Sequence, residues 1–176
     1  MKTLFSLTIL IAFCFSIAAC SKTSSGEQEE SLESEQTLLQ NASASEIEDV
    51  IASFEGDKAV LVNVWATWCI PCVEEFPEIV KIQRKYTKQL QVIFVSADFP
   101  ENRDKAVEFL KKHDVNWTTY FKTGKDEPFI NALSDEWSGA LPFSKVISTD
   151  GEVIAYWEKK VDFDTFNRYV QQAIDP

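Results

Sequence analysis

The sequence predicts an α/β domain in which a mixed β-sheet is flanked by helices, and three features carry that expectation. Ala59 to Trp65 is a run of β-branched, apolar and aromatic residues that fits a buried strand, and apolar residues at helical spacing follow it, Phe76, Ile79 and Val80. Gln91 to Ala97 is β-branched enough for a second buried strand, which makes a β-α-β unit. Towards the C-terminus, Phe143 to Ser148 and Val153 to Trp157 read as a hairpin around Asp150 and Gly151, closed by an amphipathic helix from Asp162 to Ile174.

Composition bounds the problem. With 176 residues, 45% hydrophobic and 12% aromatic, the chain can bury one substantial core and needs no second domain. The formal charge is −11 and there is no basic run, which argues against a nucleic-acid or anionic-membrane surface.

Taken in order, residues 1–19 read as a signal peptide. Lys2 supplies the positive start, Leu4 to Ile17 is an apolar stretch short for a membrane span, and Ile17, Ala18 and Ala19 lead directly into Cys20. The pattern resembles a bacterial lipobox, which implies cleavage before Cys20 and lipidation of its thiol. An ordinary secretory peptide cut near Ala19, or an uncleaved anchor helix, are the alternatives, and export follows under each. Residues 20–42 are expected to be a disordered acidic linker, with five glutamates between Glu27 and Glu35. Residues 43–176 form the globular domain.

Ser43 or Ser45 is placed to cap a helix running to about Phe54, with Ile47, Val50, Ile51 and Phe54 on one face. The helix after Trp65 runs to about Tyr86, and Pro77 within it is expected to kink the axis. Glu101 to His113 reads as a helix whose inner face is Ala106, Val107, Phe109 and Leu110, with His113 solvated at its end. Trp117 to Phe121 reads as a short strand, Gly124 to Glu127 as a polar loop and Pro128 to Leu133 as a short helix.

The chemistry is expected at Trp65-Ala66-Thr67-Trp68-Cys69-Ile70-Pro71-Cys72, which joins the first strand to its helix. Free backbone N–H groups and the positive end of the helix dipole favour a thiolate, and lower a cysteine pKa from about 8.5 towards roughly 3.5–7.5. Cys69 is then a nucleophile at neutral pH. Cys72 lies one turn on, within reach of a mixed disulfide formed by Cys69. A structural disulfide closing so short a loop would contribute only about 2 kcal/mol. A structural zinc site would need two further ligands, and His113 is the one histidine. Cys14 leaves with the signal peptide and Cys20 is blocked by lipid, so the exported domain carries a single dithiol.

These residues carry a family resemblance. The run from Val60 to Pro77, with its WATWCIPC core and trailing EEFP, resembles the thioredoxin superfamily and in detail its TlpA/ResA-type extracytoplasmic branch. Leu141-Pro142, followed by strand, turn and strand, resembles the second landmark of that family. The resemblance implies a thioredoxin fold from about residue 43 onward. It also implies roles: Cys69 as the exposed attacking cysteine, Cys72 as the resolving one, and Pro142 as a cis-proline beside them. Leu141, Trp68 and Pro71 fall on the side that meets a partner, and the Leu141 backbone would pair with bound peptide. Thioredoxin itself has a buried Asp where this chain has Asn63, and the TlpA/ResA branch places a Glu where this chain has Glu75. Phe143 replaces a smaller residue after the proline, which bears on how a peptide would fit.

The resulting expectation is a membrane-tethered thiol–disulfide oxidoreductase of the cell envelope, with the Cys69–Cys72 disulfide as its redox group and neither metal nor other cofactor. It would reduce disulfides of exported proteins, apocytochromes c among them, and draw electrons from an upstream membrane donor. A disulfide oxidase or isomerase is the alternative enzyme, and a thiol metal-binding or chaperone module without turnover is the alternative of another class. Sco-like copper delivery would need wider cysteine spacing and a ligating histidine, and peroxidase chemistry would need a TxxC threonine.

Overall fold

The computed structural model describes residues 38–175. All seven residues of the strand Ala59–Trp65 (β2) are buried, and they belong to a six-stranded sheet. A strand covered on both faces reads as a continuous apolar run, as β2 does. It pairs parallel with β3 (Leu90–Ser96) and antiparallel with β5 (Phe143–Ile147), which pairs in turn with β6 (Val153–Trp157). On the other flank β3 pairs parallel with β4 (Thr119–Lys122), and β4 with β1 (Leu39–Ala42). The strand order is therefore β1-β4-β3-β2-β5-β6.

Alternation along β2 sorts side chains to two cores. Leu61 and Trp65 join Phe76, Ile79 and Phe166 on the face covered by α2 (Ile70–Lys85), α3 (Arg103–Lys112) and α5 (Phe163–Ile174). Val60, Val62 and Val64 join Ile47, Phe129 and Phe143 on the face covered by α1 (Ala44–Ala52) and α4 (Asp126–Leu133). Phe76 is the hub of the first core, stacked on Phe94 with ring centres 4.1 Å apart and 4.9 Å from both Trp65 and Phe109.

Helix ends follow local chemistry. Ser43 caps α1 in a reciprocal capping box with Glu46, and the Asp162 side chain caps α5 by accepting from the Thr165 N–H at 2.9 Å. The α2 helix continues unbroken through Pro77.

Several boundaries differ from the sequence reading. The linker expected to reach residue 42 ends earlier, because Leu39–Ala42 is a strand. What orders it is distant in sequence: β4 supplies its ladder, the Thr119 hydroxyl donates to the Leu38 carbonyl, and Arg103 donates to the Asn41 side chain and the Leu39 carbonyl. A short 3-10 turn, Pro100–Asn102, precedes α3. The β4 strand starts at Thr119 because Trp117 turns inward, its indole N–H donating to the Val92 carbonyl at 3.0 Å. Nor is His113 fully solvated: it is half-buried against Phe109 and Phe76, at ring distances of 4.4 and 5.4 Å, and that burial lowers its pKa. Residues 1–19, Cys20 and most of the linker lie outside the described residues. Among the described residues no helix is long and apolar enough to cross a membrane.

Candidate active site

The β2 strand ends at Trp65, and its ladder continues one step as the Ala97 N–H donates to the Trp65 carbonyl at 2.8 Å. The chain then turns through Thr67 and Trp68 into α2, with Cys69 as the N-cap. The Cys69 sulfur accepts from the Cys72 N–H at 3.3 Å, so it occupies the position from which a capping side chain satisfies a free N–H. Ile70 and Pro71 form the first helical positions, where a proline forfeits no intrahelical bond. Cys69 and Cys72 are joined as a disulfide.

The two sulfurs sit in different surroundings. Cys69 retains 5% of its surface at the edge of a groove, whereas Cys72 keeps 1%. Trp68 and Ile70 stand out beside Cys69, and Trp68 stacks on the exposed Phe99 with ring centres 6.2 Å apart. Trp65, by contrast, is core. The groove encloses about 1180 Å³ and runs from the disulfide past Phe99 to Phe121, Trp137 and Leu141. The Leu141-Pro142 bond is cis, and Leu141 lines the groove beside Pro71. Phe143 points the other way: it is fully buried in the second core and stacks on Trp137 at 4.4 Å, so its bulk does not obstruct the groove.

Glu75 lies one turn beyond Cys72, on the same face of α2. Its side chain is 1% exposed. Asn63 donates to Oε1 at 3.0 Å and the Val161 N–H donates to Oε2 at 3.1 Å, while Asn63 also donates to the Ser144 hydroxyl at 3.0 Å. Burial pushes the Glu75 carboxyl up to about 7, against the opposing pull of the Val161 N–H, the Asn63 amide and the charge of Lys160. Desolvation wins because the donors are neutral and Lys160 is half exposed, held by Glu74 at 2.5 Å. Glu75 is therefore poised between acid and base at neutral pH.

Sequence reasoning missed Asp98, which follows β3 and is buried. Both its oxygens accept from the Thr67 N–H at 3.1 Å, Oδ1 also from the Thr67 hydroxyl at 2.6 Å, and Oδ2 from the Ser96 hydroxyl at 2.9 Å. The only sequence signal was an acidic residue directly after an apolar strand. Lys160 and Val161 were also missed, since nothing local ties the β6–α5 connection to α2. Among the described residues no three His, Cys, Asp or Glu side chains gather as a metal site.

A central mixed sheet with a disulfide at the junction of its second strand and the following helix, beside a cis-proline, defines a thioredoxin-like protein. The Redoxin family model matches residues 37–171, and the chain belongs to that family. Relatives make it ResA-like within the thioredoxin superfamily. It is 39% identical over 61 residues to the thioredoxin-like protein YneN of Bacillus subtilis, covering 34% of this chain and 36% of that one. It is 27% identical over 157 residues to the thiol-disulfide oxidoreductase ResA of Bacillus thuringiensis, covering 87% and 86%. The matches to other ResA proteins, from Bacillus cereus and Bacillus subtilis, span 53% and 60% of those relatives' lengths. A thioredoxin-family thiol:disulfide interchange protein from Chlorobium tepidum superposes with a TM-score of 0.60 at 25% identity, covering 70% of this chain and 84% of that one.

Proposed function

We propose that the protein is an extracytoplasmic thiol–disulfide oxidoreductase that reduces disulfides of exported proteins. The observation behind this reading is the Cys69–Cys72 disulfide itself, with one sulfur at the groove edge and the other buried one turn above a carboxyl poised near neutrality. The pair enters the reaction as a dithiol. The Cys69 thiolate attacks one sulfur of the partner disulfide; that bond breaks, the other partner sulfur leaves as a thiolate, and a mixed disulfide joins Cys69 to the partner. Cys72 then gives its proton to Glu75 and attacks the Cys69 sulfur. The Cys69–Cys72 bond forms, and the partner's second sulfur departs as a thiolate that takes up a proton, so two electrons have passed to the partner.

Trp68, Pro71, Leu141 and Pro142 meet the partner in this reading, with the Leu141 backbone pairing an extended peptide along the groove. No cofactor beyond the disulfide enters, and a donor in the membrane restores the dithiol. Lipidation at Cys20 would hold the domain at the cell envelope, on the periplasmic or external side. Apocytochromes c, whose cysteines must be reduced before haem attachment, are one client class that the resemblance to the TlpA/ResA branch implies.

The reduction potential tests the direction of transfer. A value near that of thioredoxin, about −270 mV, fits a reductant, and a value near that of DsbA, about −120 mV, would reassign the protein as an oxidase. Failure to turn over any disulfide in either direction would remove the enzyme reading altogether.

A further inference from the structure

We infer that Asp98 is a positioning residue for the attacking thiol, which holds the Thr67-Trp68 segment against the end of β3 and places a fixed negative charge behind Cys69. The inference rests on Cys69 being the attacking thiol.

The geometry leaves little freedom at this point. Thr67 donates both its backbone N–H and its hydroxyl to the Asp98 carboxylate, and Ser96 donates a third group. Both carboxyl oxygens accept in this arrangement. The next residue, Phe99, stacks on Trp68, so residues 98 and 99 grip residues 67 and 68 through one polar and one aromatic contact. Asp98 is 6% exposed, so little water screens its charge. Thr67 lies two residues before Cys69, a span of at most about 7 Å between Cα atoms, and Asp98 lines the same groove as Cys69.

Of the cations that line the same groove, Lys122 is paired with Asp126 at 2.6 Å, while Arg103 donates to the neutral Asn41 side chain at 2.9 Å and to the Leu39 carbonyl, keeps its charge and offsets only part of the Asp98 field. Cys72 and Glu75 lie on the interior side of α2, and Lys160 is bound to Glu74. Two fields therefore act on the Cys69 thiolate in opposite directions: the start of α2 favours it, and Asp98 disfavours it. A less favoured thiolate means a less stabilised dithiol, and so a disulfide that is harder to reduce and a dithiol that is a stronger reductant. Asp98 thereby biases the pair towards donating electrons.

The experiment is alkylation of reduced protein with iodoacetamide across pH, with peptide mapping to separate the two cysteines. Asp98→Asn keeps the shape and one acceptor while removing the charge. The midpoint for Cys69 should move to lower pH, with an ionisation constant raised about threefold to tenfold. Equilibration with glutathione should show the reduced form favoured in the same direction. Thr67→Val, which loses the hydroxyl donor and keeps the charge, should not move the midpoint downward. Should Asp98→Asn fail to fold, Asp98→Ser carries the same comparison, since its hydroxyl can accept the Thr67 N–H. An unchanged or raised Cys69 midpoint in the folded neutral variant overturns the inference. Faster labelling of Cys72 than of Cys69 in the parent protein would instead overturn the assignment of the attacking thiol.

Discussion

Asn63 and Glu75 meet inside the molecule, where the Asn63 amide donates to the Glu75 carboxyl at 3.0 Å across the interface between β2 and α2. Asn63 stands where thioredoxin has its buried aspartate and has no acidic proton to exchange. It orients a carboxyl supplied from the helix instead, and the second Glu75 oxygen is held by Val161 from the loop before α5. Three separate stretches of chain thus converge on one group of pKa about 7.

A carboxyl so placed should govern the resolving step. In the parent protein the rate of mixed-disulfide resolution should rise with pH through a midpoint near 7, as Glu75 becomes able to accept the Cys72 proton. Glu75→Gln should abolish that midpoint and slow resolution at pH 7 by about 10- to 100-fold, within the usual range for general acid–base catalysis. Glu74→Gln is the control, with one qualification that the structure supplies: Glu74 holds Lys160, so its loss frees a cation near Glu75. Its profile should keep a midpoint, at or below that of the parent protein. Stopped-flow pH–rate profiles for the three proteins decide the matter, and a Glu75→Gln profile that retains the parent midpoint refutes the role.

The same group links stability to pH. The folded-state pKa of Glu75 is raised above its unfolded value, so the folded form binds the proton more tightly. Its contribution is fully present below the unfolded value near 4.5 and is lost as pH rises through about 7. Glu75→Gln should therefore match the oxidised parent protein most closely at pH 5 and gain on it at pH 8.5, by up to about 3 kcal/mol at 1.36 kcal/mol per pH unit. Urea unfolding at the two pH values measures this. A gain that is the same at both would show that the carboxyl titrates normally in the folded protein.

The burial of the two sulfurs should set their order of reaction. Cys69, at the helix cap and the groove edge, should be alkylated first in the reduced protein, and Cys72, almost fully enclosed, slowly. Cys72→Ser should accumulate mixed disulfides on Cys69 that mass spectrometry can identify, since the resolving attack is gone. Equal alkylation rates would contradict the division of labour.

The edge strand offers a test of where the domain begins. Leu39 is fully buried under the first core, and Leu39→Ala should cost about 2–3 kcal/mol by lost burial and the cavity left behind. Equilibrium unfolding checks this, and a cost under about 0.5 kcal/mol, the level of an ordinary surface change, would return residues 39–42 to the linker.

Anchoring is open to fractionation. Cys20→Ser should release the protein from membranes or halt its processing. A variant of mature size that still sediments with membranes would count against lipidation at Cys20.

Local pattern by itself determined the elements with dense signals. The seven residues of β2 have no polar member except Asn63, the α5 face repeats at 3.6 residues, and the hairpin turn carries Asp150-Gly151, so strand, helix and hairpin were legible from neighbours alone. The dithiol was legible for the same reason, because a helix start acts on a cysteine only a residue or two away. What the sequence could not reveal depends on contacts between distant residues. Leu39–Ala42 has the composition of a linker and becomes a strand only because β4 and Arg103, more than sixty residues on, satisfy its backbone. Asp98 reads as a polar residue after a strand until the parallel pairing of β2 and β3 brings it under Thr67. Glu75 could be named from its place in the motif, but its pKa is raised by burial under the β6–α5 loop, which outweighs the lowering by the Val161 N–H and the Asn63 amide. Desolvation is a property of everything packed around a group, so only the tertiary structure decides it.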